Sequence, residues 1–304
     1  MSIVRPHLDA LTAPGAPFEV VTEMVAGHPV RTYAARQHNL RSFITAGEAH
    51  GAREFLVQGE RRVTFGDAFH TARSVAAGLA ARFGVGAGDR VAVVGANSVD
   101  WVVAYWGAVA LNAVAVPLNA WWRPSELAFG IADSGTQVAF TDTRRGRALI
   151  EAGFPPQQIV TWGDGPAGTV PLRELATWEP LDLAAAPATD ENHPAVIFYT
   201  SGTTGRPKGS ANTHHNIIAN FLNAVVFLLD NILFNSNRGN WLAPWGWGSF
   251  SVTKAIGSLQ LWRFVTYQFI HANFFHVFFN MLAVYFFGPI MERWWGSRRF
   301  LIFY

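Results

Sequence analysis

The stretch Tyr199–Gly209, with the sequence YTSGTTGRPKG, constrains the fold of this chain more than any other part. It directly follows the apolar run Ala195–Phe198, and an apolar run of this length bounded by glycine predicts a buried β-strand. Three glycines allow positive φ angles in the loop, so its backbone N–H groups can turn inward and form an anion-binding concavity. Four hydroxyl side chains can donate hydrogen bonds, and Lys208 supplies the positive charge that a polyphosphate requires.

The loop is therefore predicted to bind phosphate groups, through Thr200, Ser201, Gly202, Thr203, Thr204, Gly205 and Lys208. It is not a Walker A loop, because the order G-x-x-x-x-G-K-[ST] is absent. The alternative is a flexible Ser/Thr/Gly linker, but a linker does not carry a fixed Pro-Lys-Gly end and does not follow a buried strand.

Strand and helix patterns alternate upstream of the loop. Helices are predicted in Arg31–Ala49, Asp67–Phe83, Ser98–Ala110 and Pro124–Ser134. A hairpin is predicted around Gly59, from Phe55–Val57 and Arg62–Phe65, and further strands in Arg90–Gly95, Val114–Pro117, Gln137–Thr141 and Gln158–Thr161. Because these strands are apolar on both faces, the alternation indicates an α/β fold with a parallel, doubly wound sheet. Such sheets bind ligands at the carboxyl ends of their strands, where Thr200–Lys208 would lie.

The loop resembles the phosphate-binding loop of the adenylate-forming enzymes, which include acyl-CoA synthetases, luciferases and peptide-synthetase adenylation domains. Their signature is close to [YF]-T-S-G-[ST]-T-G-x-P-K-G followed by a Thr-His segment, and Thr213-His214 follows here. Further landmarks of the family occur upstream in the family's order, at Thr64–Asp67, Gly88–Val93, Asn97-Ser98, Val116–Asn119 and Ser125–Leu127. The resemblance covers about residues 40–222.

This resemblance implies ATP-dependent joining of a carboxylic acid to CoA, most similar to the fatty-acid and medium-chain ligases. It also implies that the N–H groups and hydroxyls of the loop, with Lys208, hold the β- and γ-phosphates of ATP beside Mg²⁺. The family further requires a Tyr-Gly-x-Thr-Glu segment, a ribose-binding Asp and a small C-terminal domain with a catalytic Lys, which do not follow here. The chain alone is therefore expected not to form acyl-adenylates.

The composition changes after Gly209. Half of the whole chain is hydrophobic and only 14% is charged, so membrane contact is expected. Between residues 210 and 262 the only charged residues are Asp230, Arg238 and Lys254, and between 264 and 291 there are none. The apolar run Ile217–Phe234 is at the lower length limit of a membrane span and is interrupted by polar residues.

Other features narrow the possible functions. The chain has no cysteine, which excludes disulfides, thiolate metal sites and a cysteine nucleophile within it. A net charge of +2 with scattered basic residues does not favour nucleic acid as a partner. The first 20 residues contain no uninterrupted apolar stretch, so no cleavable signal peptide is expected. The oligomeric state is not indicated.

The last part of the chain resembles the beginning of a rhomboid intramembrane serine protease. Trp262-Arg263 is similar to the motif after the first rhomboid helix, His276-x-x-x-Asn280 to the second-helix motif, and Glu292 with Gly296-Ser297 to the turn into the third helix. His276 and Asn280 are four residues apart and share one helix face. The resemblance implies that they donate hydrogen bonds to an oxyanion. The nucleophile motif G-x-S-G and a later histidine are absent, so the catalytic set is incomplete.

Two domains are therefore predicted, a partial AMP-binding, acyl-CoA ligase-like domain in 1–222 and a partial, all-α rhomboid-like membrane domain in 223–304. The lipid bilayer is expected to be the partner of the second domain. Arg293, Arg298 and Arg299 favour a cytoplasmic side for their end of the helix, and the first domain is expected in the cytoplasm. A rhomboid-type fragment with a cytoplasmic extension, and a non-functional fusion or misassembled product, remain as alternatives.

Overall fold

The computed structural model describes residues 6–25, 27–185, 189–200 and 207–229. Its helices are α1 (Pro6–Thr12), α2 (Ser42–Glu48), α3 (Phe65–Phe83), α4 (Val99–Ala110), α5 (Pro124–Ser134), α6 (Thr143–Glu151), α7 (Leu172–Leu175) and α8 (His214–Leu229). Its strands are β1 (Val20–Val25), β2 (His28–Tyr33), β3 (Glu54–Gln58), β4 (Arg61–Thr64), β5 (Arg90–Val94), β6 (Val114–Leu118), β7 (Val138–Asp142), β8 (Ile159–Trp162), β9 (Val170–Pro171), β10 (Pro194–Thr200) and β11 (Lys208–Thr213).

A seven-stranded sheet forms the centre, in the order β11-β10-β6-β5-β7-β8-β9. All neighbouring strands in it run parallel except β10 and β11, which form an antiparallel pair at one edge. On β5, Val91 and Val93 belong to the apolar cluster that includes α3 and α4, whereas Ala92 and Val94 belong to the cluster that includes α5 and α6. Helices therefore cover both faces, and the predicted α/β class with a parallel sheet is confirmed.

Residues typical of turns and helix caps predicted several boundaries of helices and strands correctly. Helix α5 spans Pro124–Ser134 as predicted, because Pro124 suits the first turn and Gly135 adopts a φ of 65° after the last. The Thr64 hydroxyl accepts a hydrogen bond from the Asp67 N–H and caps the start of α3. The predicted hairpin around Gly59 is confirmed as the antiparallel pair β3–β4.

The prediction of helix throughout Arg31–Ala49 is wrong in its first part. Arg31 lies in β2, which pairs antiparallel with β1, and α2 is limited to Ser42–Glu48. Thr32 and Tyr33 are buried in this hairpin by contacts with distant residues, and a helical pattern cannot register such contacts.

The strand that precedes the loop is buried only in its first half. Ala195 and Val196 are buried, but Phe198 is 46% exposed. The reason is its place in the sheet, since β10 lies beside the edge strand β11, whose first four residues are exposed.

Helix α8 runs without interruption through residues 222 and 223, where the two predicted domains meet. The chain divides between Leu228 and Leu229. Among the described residues, no helix combines the length and the apolarity that crossing a membrane requires. The rhomboid-like segment and the end of the apolar run Ile217–Phe234, residues 230–234, lie outside the described residues.

A polar network joins β1 and β2 to the segment before β10. The guanidinium of Arg36, with 1% of its side chain exposed, bonds both Glu23 and Glu191 at 2.6 Å. It also donates to the Tyr33 carbonyl oxygen at 2.8 Å. Burial raises the pKa of the Glu191 carboxyl, but the hydrogen bonds from Arg36 and His38 outweigh burial, so its pKa is lowered overall. The ion pairs therefore hold this edge of the unit together.

The start of α8 is fixed to the same region through buried histidines. His214 accepts a hydrogen bond at Nδ1 from the Leu40 N–H at 3.2 Å, and its Nε2 is buried without a partner among the described residues. His215 Nε2 lies 2.8 Å from the Thr32 hydroxyl. Burial, with further contributions from His193 and Arg41, lowers the pKa of His214 to about 4.

The free energy of unfolding should therefore decrease as the pH is lowered from about 6.5 to about 4, the two pKa values of His214 in the unfolded and folded protein. The folded protein keeps this imidazole neutral down to about pH 4, whereas the unfolded chain binds the proton near pH 6.5. Stability is complete above pH 6.5 and is lost as the pH falls toward 4, by at most about 3 kcal/mol from this group. Urea unfolding of the wild type and of His214→Gln, measured from pH 7 to pH 4, should show a shallower pH dependence in the variant.

The matched control is His70→Gln, because His70 is an exposed histidine on α3. It should follow the wild-type pH dependence. Equal pH dependence in His214→Gln and the wild type would contradict the assignment of the effect to His214.

Candidate functional site

The predicted phosphate loop begins and ends at neighbouring positions of the sheet. Strand β10 ends at Thr200, β11 begins at Lys208, and these two residues are paired in the antiparallel register. Both therefore lie at the carboxyl end of β10, as the sequence predicted. The other predicted phosphate-binding residues, Ser201, Gly202, Thr203, Thr204 and Gly205, lie outside the described residues.

Lys208 is available for an external anion. Its side chain is exposed, and in the described part of the chain no carboxylate lies within 4.0 Å of its ammonium group. A lysine paired with a carboxylate would have to exchange that partner for a phosphate. Lys208 has no such partner among the described residues, so its charge can act on a ligand directly.

The residue before the loop is held by helix α5. The Tyr199 hydroxyl donates to Asp133 Oδ2 at 2.7 Å and also lies 3.2 Å from the Gly130 carbonyl oxygen. Burial raises the pKa of the Tyr199 phenol, and the nearby Asp133 carboxylate raises it further. The phenol therefore stays protonated and remains a donor at neutral pH.

A second group of side chains at this edge was not predicted from the sequence. Trp121, three residues after β6, is 75% exposed, and the guanidinium carbons of Arg144 and Arg145 lie 5.9 Å and 5.2 Å from its ring centroid. Arg145 is fixed by hydrogen bonds to Asp142 Oδ2 at 2.6 Å and to the Ala120 carbonyl oxygen at 3.0 Å. These three side chains combine a flat aromatic surface with positive charge.

A usable signal for this group was present in the sequence. Trp121 follows one predicted parallel strand and Arg144-Arg145 follow another, and the carboxyl ends of parallel strands meet at one edge of a sheet. Aromatic and basic residues directly after two such strands therefore indicate that they lie close together.

The other predicted site lies beyond the described residues. His276 and Asn280, predicted as oxyanion donors, are both in the segment after residue 229, and no described residue bears on their role. Within the described ranges there is no group of three or more His, Asp or Glu side chains arranged to hold a metal ion.

Two family models match the chain in succession. The model of the AMP-binding enzymes matches residues 43–245, which is more than half of the chain. The model of the rhomboid domain matches residues 258–304, so it begins well after residue 223, where the rhomboid-like part was predicted to start.

Curated relatives of the first region are CoA ligases. The chain is 36% identical over 137 residues to the long-chain-fatty-acid–CoA ligase FadD13 of Mycobacterium tuberculosis, covering 44% of this chain and 26% of that one. It is 34% identical over 162 residues to the 3-hydroxybenzoate–CoA ligase of an Aromatoleum species, covering 52% and 31%. To the 4-hydroxybenzoate–CoA/benzoate–CoA ligase of Rhodopseudomonas palustris it is 30% identical, covering 67% and 40%. The chain thus spans between a quarter and two fifths of these relatives.

Solved structures agree with this assignment. The anthranilate CoA ligase AuaEII in complex with anthranoyl-AMP superposes with a TM-score of 0.53 at 25% identity, covering 58% of this chain and 35% of that one. VinN superposes with a TM-score of 0.52 at 23% identity, covering 62% and 47%, and shows a likeness of fold alone. The resemblance predicted from the loop and its upstream landmarks is confirmed, and the chain belongs to the AMP-binding enzyme family.

Proposed function

We propose that this chain binds ATP at the loop Thr200–Lys208, as the phosphate-binding part of a ligase that activates a carboxylic acid and transfers it to CoA. The observation that supports this most directly is the pairing of Thr200 with Lys208 across the mouth of the loop, at the carboxyl end of a parallel strand. A hydroxyl and an ammonium group on paired positions of neighbouring strands, the latter with no carboxylate partner among the described residues, are suited to phosphate oxygens.

The residues fit Mg²⁺ as a companion of ATP. Mg²⁺ usually keeps several waters and is held mainly through substrate phosphates, so the loop needs to supply few ligands. The Thr200 hydroxyl, with those of Ser201, Thr203 and Thr204, would hold the ion and the phosphates together. When bound, the ion neutralises charge on the phosphate oxygens.

In the proposed reaction the loop acts by positioning. A carboxylate oxygen of the acid forms a bond to the α-phosphorus of ATP, the bond from that phosphorus to the bridging oxygen breaks, and pyrophosphate leaves. The CoA thiol then loses its proton to solvent and its sulfur bonds the acyl carbon, the bond from that carbon to the phosphate oxygen breaks, and AMP leaves. Lys208 and the loop donors would hold the β- and γ-phosphates in line and stabilise the charge that develops on them.

The 304-residue chain should bind ATP through Lys208 without completing this reaction. Loss of a charge-assisted contact costs about 1.5–3 kcal/mol, so Lys208→Gln should raise the Kd for Mg·ATP by about 10- to 100-fold. Equilibrium dialysis with the purified chain measures this Kd. Pyrophosphate exchange dependent on a fatty or aromatic acid should be absent from the wild type.

The control for this substitution is Lys254→Gln, because Lys208 and Lys254 are the two lysines of the chain. It should leave the Kd for Mg·ATP unchanged. If both variants bind Mg·ATP as the wild type does, the loop is not the phosphate site.

We also propose that Trp121 and Arg144 take part in binding CoA, whose nucleotide carries an adenine and several phosphates. What supports this is the exposure of Trp121 beside two guanidinium groups, together with its place at the same sheet edge as the loop. An aromatic ring accepts an adenine by stacking, and arginine binds phosphate through two parallel hydrogen bonds.

Arg144→Ala should therefore weaken CoA binding by about 5- to 10-fold, as expected for one lost charge-assisted contact at an exposed site. Arg147→Ala is the matched control, because Arg147 is exposed one turn further along α6. Fluorescence titration with CoA and dephospho-CoA measures both affinities. An equal effect of the two variants would mean that Arg144 contributes only general positive charge.

We propose further that the segment 258–304 contacts a lipid bilayer as a partial rhomboid-like domain, with the first domain on the cytoplasmic side. What supports this is the absence of charge from 264 to 291 and the match to the rhomboid domain. His276 and Asn280 would be oxyanion donors in such a domain. No protease activity is proposed for the chain alone, because the motif G-x-S-G is absent.

The full chain should then remain in the membrane pellet after alkaline carbonate extraction. Phe279→Asp should shift it toward the supernatant, because a carboxylate at the centre of a span costs about 2.5–3.5 kcal/mol. The control Gly248→Asp, placed before residue 258, should remain in the pellet. Recovery of the wild type in the supernatant would contradict membrane insertion.

A further inference from the structure

We propose that Tyr199 is a positioning residue for the phosphate loop, which it ties to helix α5 through Asp133. The inference rests on the proposed binding of ATP at Thr200–Lys208. It adds a function for a side chain that is not among the predicted phosphate-binding residues, and it accounts for the glycine at position 209.

The hydroxyl of Tyr199 is the first part of this connection. It donates to Asp133 Oδ2 at 2.7 Å, a distance typical of a charge-assisted hydrogen bond, and its oxygen lies 3.2 Å from the Gly130 carbonyl oxygen. Asp133 and Gly130 are on the last two turns of α5, so the bond joins the end of β10 to a helix on one face of the sheet.

Asp133 is placed where it does not help its own helix. It lies in the last turn of α5, where the partial negative charge of the helix disfavours a carboxylate. It is also exposed, so burial does not account for it. Its contact with Tyr199 gives it a role outside the helix.

The ring of Tyr199 is the second part. A β-carbon added at Gly209 would lie 3.2 Å from Tyr199 Cζ and 3.2 Å from Ile197 Cγ2, closer than ordinary contacts. The ring thus occupies the space in which a side chain at residue 209 would lie. On its other side the ring meets Trp122 edge-on, with the centroids 5.6 Å apart.

These contacts place Tyr199 between the two ends of the loop. It precedes Thr200 in β10 and is paired with Gly209, the neighbour of Lys208, in β11. The Tyr199 side chain contacts α5 and Trp122, and its ring also packs on Gly209. It therefore fixes the backbone positions of Thr200 and Lys208. Loss of the hydroxyl should loosen both strand ends together.

The test compares four variants of the full chain. Tyr199→Phe removes the hydroxyl but keeps the ring, Asp133→Ala removes the acceptor, and Asp133→Asn keeps an acceptor oxygen. Tyr33→Phe is the matched control, since the Tyr33 hydroxyl also donates at 2.7 Å, to Asn223 Oδ1, at a site in β2 rather than beside the loop. Amide hydrogen exchange in peptides covering residues 196–210 is measured without ligand, and the Kd for Mg·ATP is measured separately.

The proposal predicts exchange at the strand ends that is about 5- to 10-fold faster in Tyr199→Phe and Asp133→Ala, as expected from one lost hydrogen bond whose acceptor is exposed to solvent. The Kd for Mg·ATP should rise by a similar factor. Asp133→Asn should return the exchange rate and the Kd most of the way to the wild-type values. Tyr33→Phe should change neither the exchange rate nor the Kd, although it removes a similar hydroxyl contact.

Two results would count against the proposal. Exchange at the strand ends that is the same in Tyr199→Phe and Tyr33→Phe would overturn it, whatever the ATP result. If strand-end exchange is as fast in Asp133→Asn as in Asp133→Ala, the Tyr199–Asp133 hydrogen bond does not position the loop. A wild type that does not bind Mg·ATP would contradict the proposed function, and the exchange measurement would still decide the role of Tyr199.

Discussion

The burial of both faces of strand β5 is the constraint on which the rest of this unit depends. Residues 91–94 are fully buried, alternately against the helices of one face and of the other. Here helices cover both faces of the strand, and crossover helices of this kind join strands that run parallel. Because parallel strands end at the same edge, the segments after β6, β7 and β10 converge there, and with them the residues that we assign to nucleotide binding.

Local chemistry in the sequence predicted the elements of this unit well, and long-range contacts explain where prediction failed. Helix α5 was predicted from Pro124 and Gly135 alone, because each acts on the backbone next to it. The β1–β2 hairpin was missed because one of its contacts, from Thr32 to His215, joins residues 183 positions apart. The Trp121 group was missed for the same reason, since its ring and its arginines follow different strands. The phosphate loop could be predicted from the sequence because its residues are contiguous in the chain.

The candidate site combines a hydrogen-bonded strand end with an exposed lysine. Lys208 is exposed beside the end of strand β10, and Tyr199 joins that strand end to α5 by its hydrogen bond to Asp133. The exposed lysine supplies the charge, and the hydrogen-bonded tyrosine fixes the position of the strand. Family membership covers residues 43–245, and the ligase chemistry beyond ATP binding rests on relatives of which this chain spans between a quarter and two fifths. We propose that the described unit contributes one step of that chemistry, the binding of a nucleoside triphosphate. A second family model, that of the rhomboid domain, matches the separate region 258–304.

The proposed binding of ATP requires the ammonium group of Lys208 to contact the phosphates of the nucleotide. Labelling with an acyl-phosphate derivative of ATP tests it most directly, because such a probe transfers its acyl group to a lysine beside the terminal phosphate. The chain has two lysines, so Lys254 serves as an internal reference in the same digest. We expect labelling of Lys208 that excess Mg·ATP suppresses, and much weaker labelling of Lys254 that Mg·ATP does not suppress. Equal labelling of both lysines, unaffected by Mg·ATP, would contradict it.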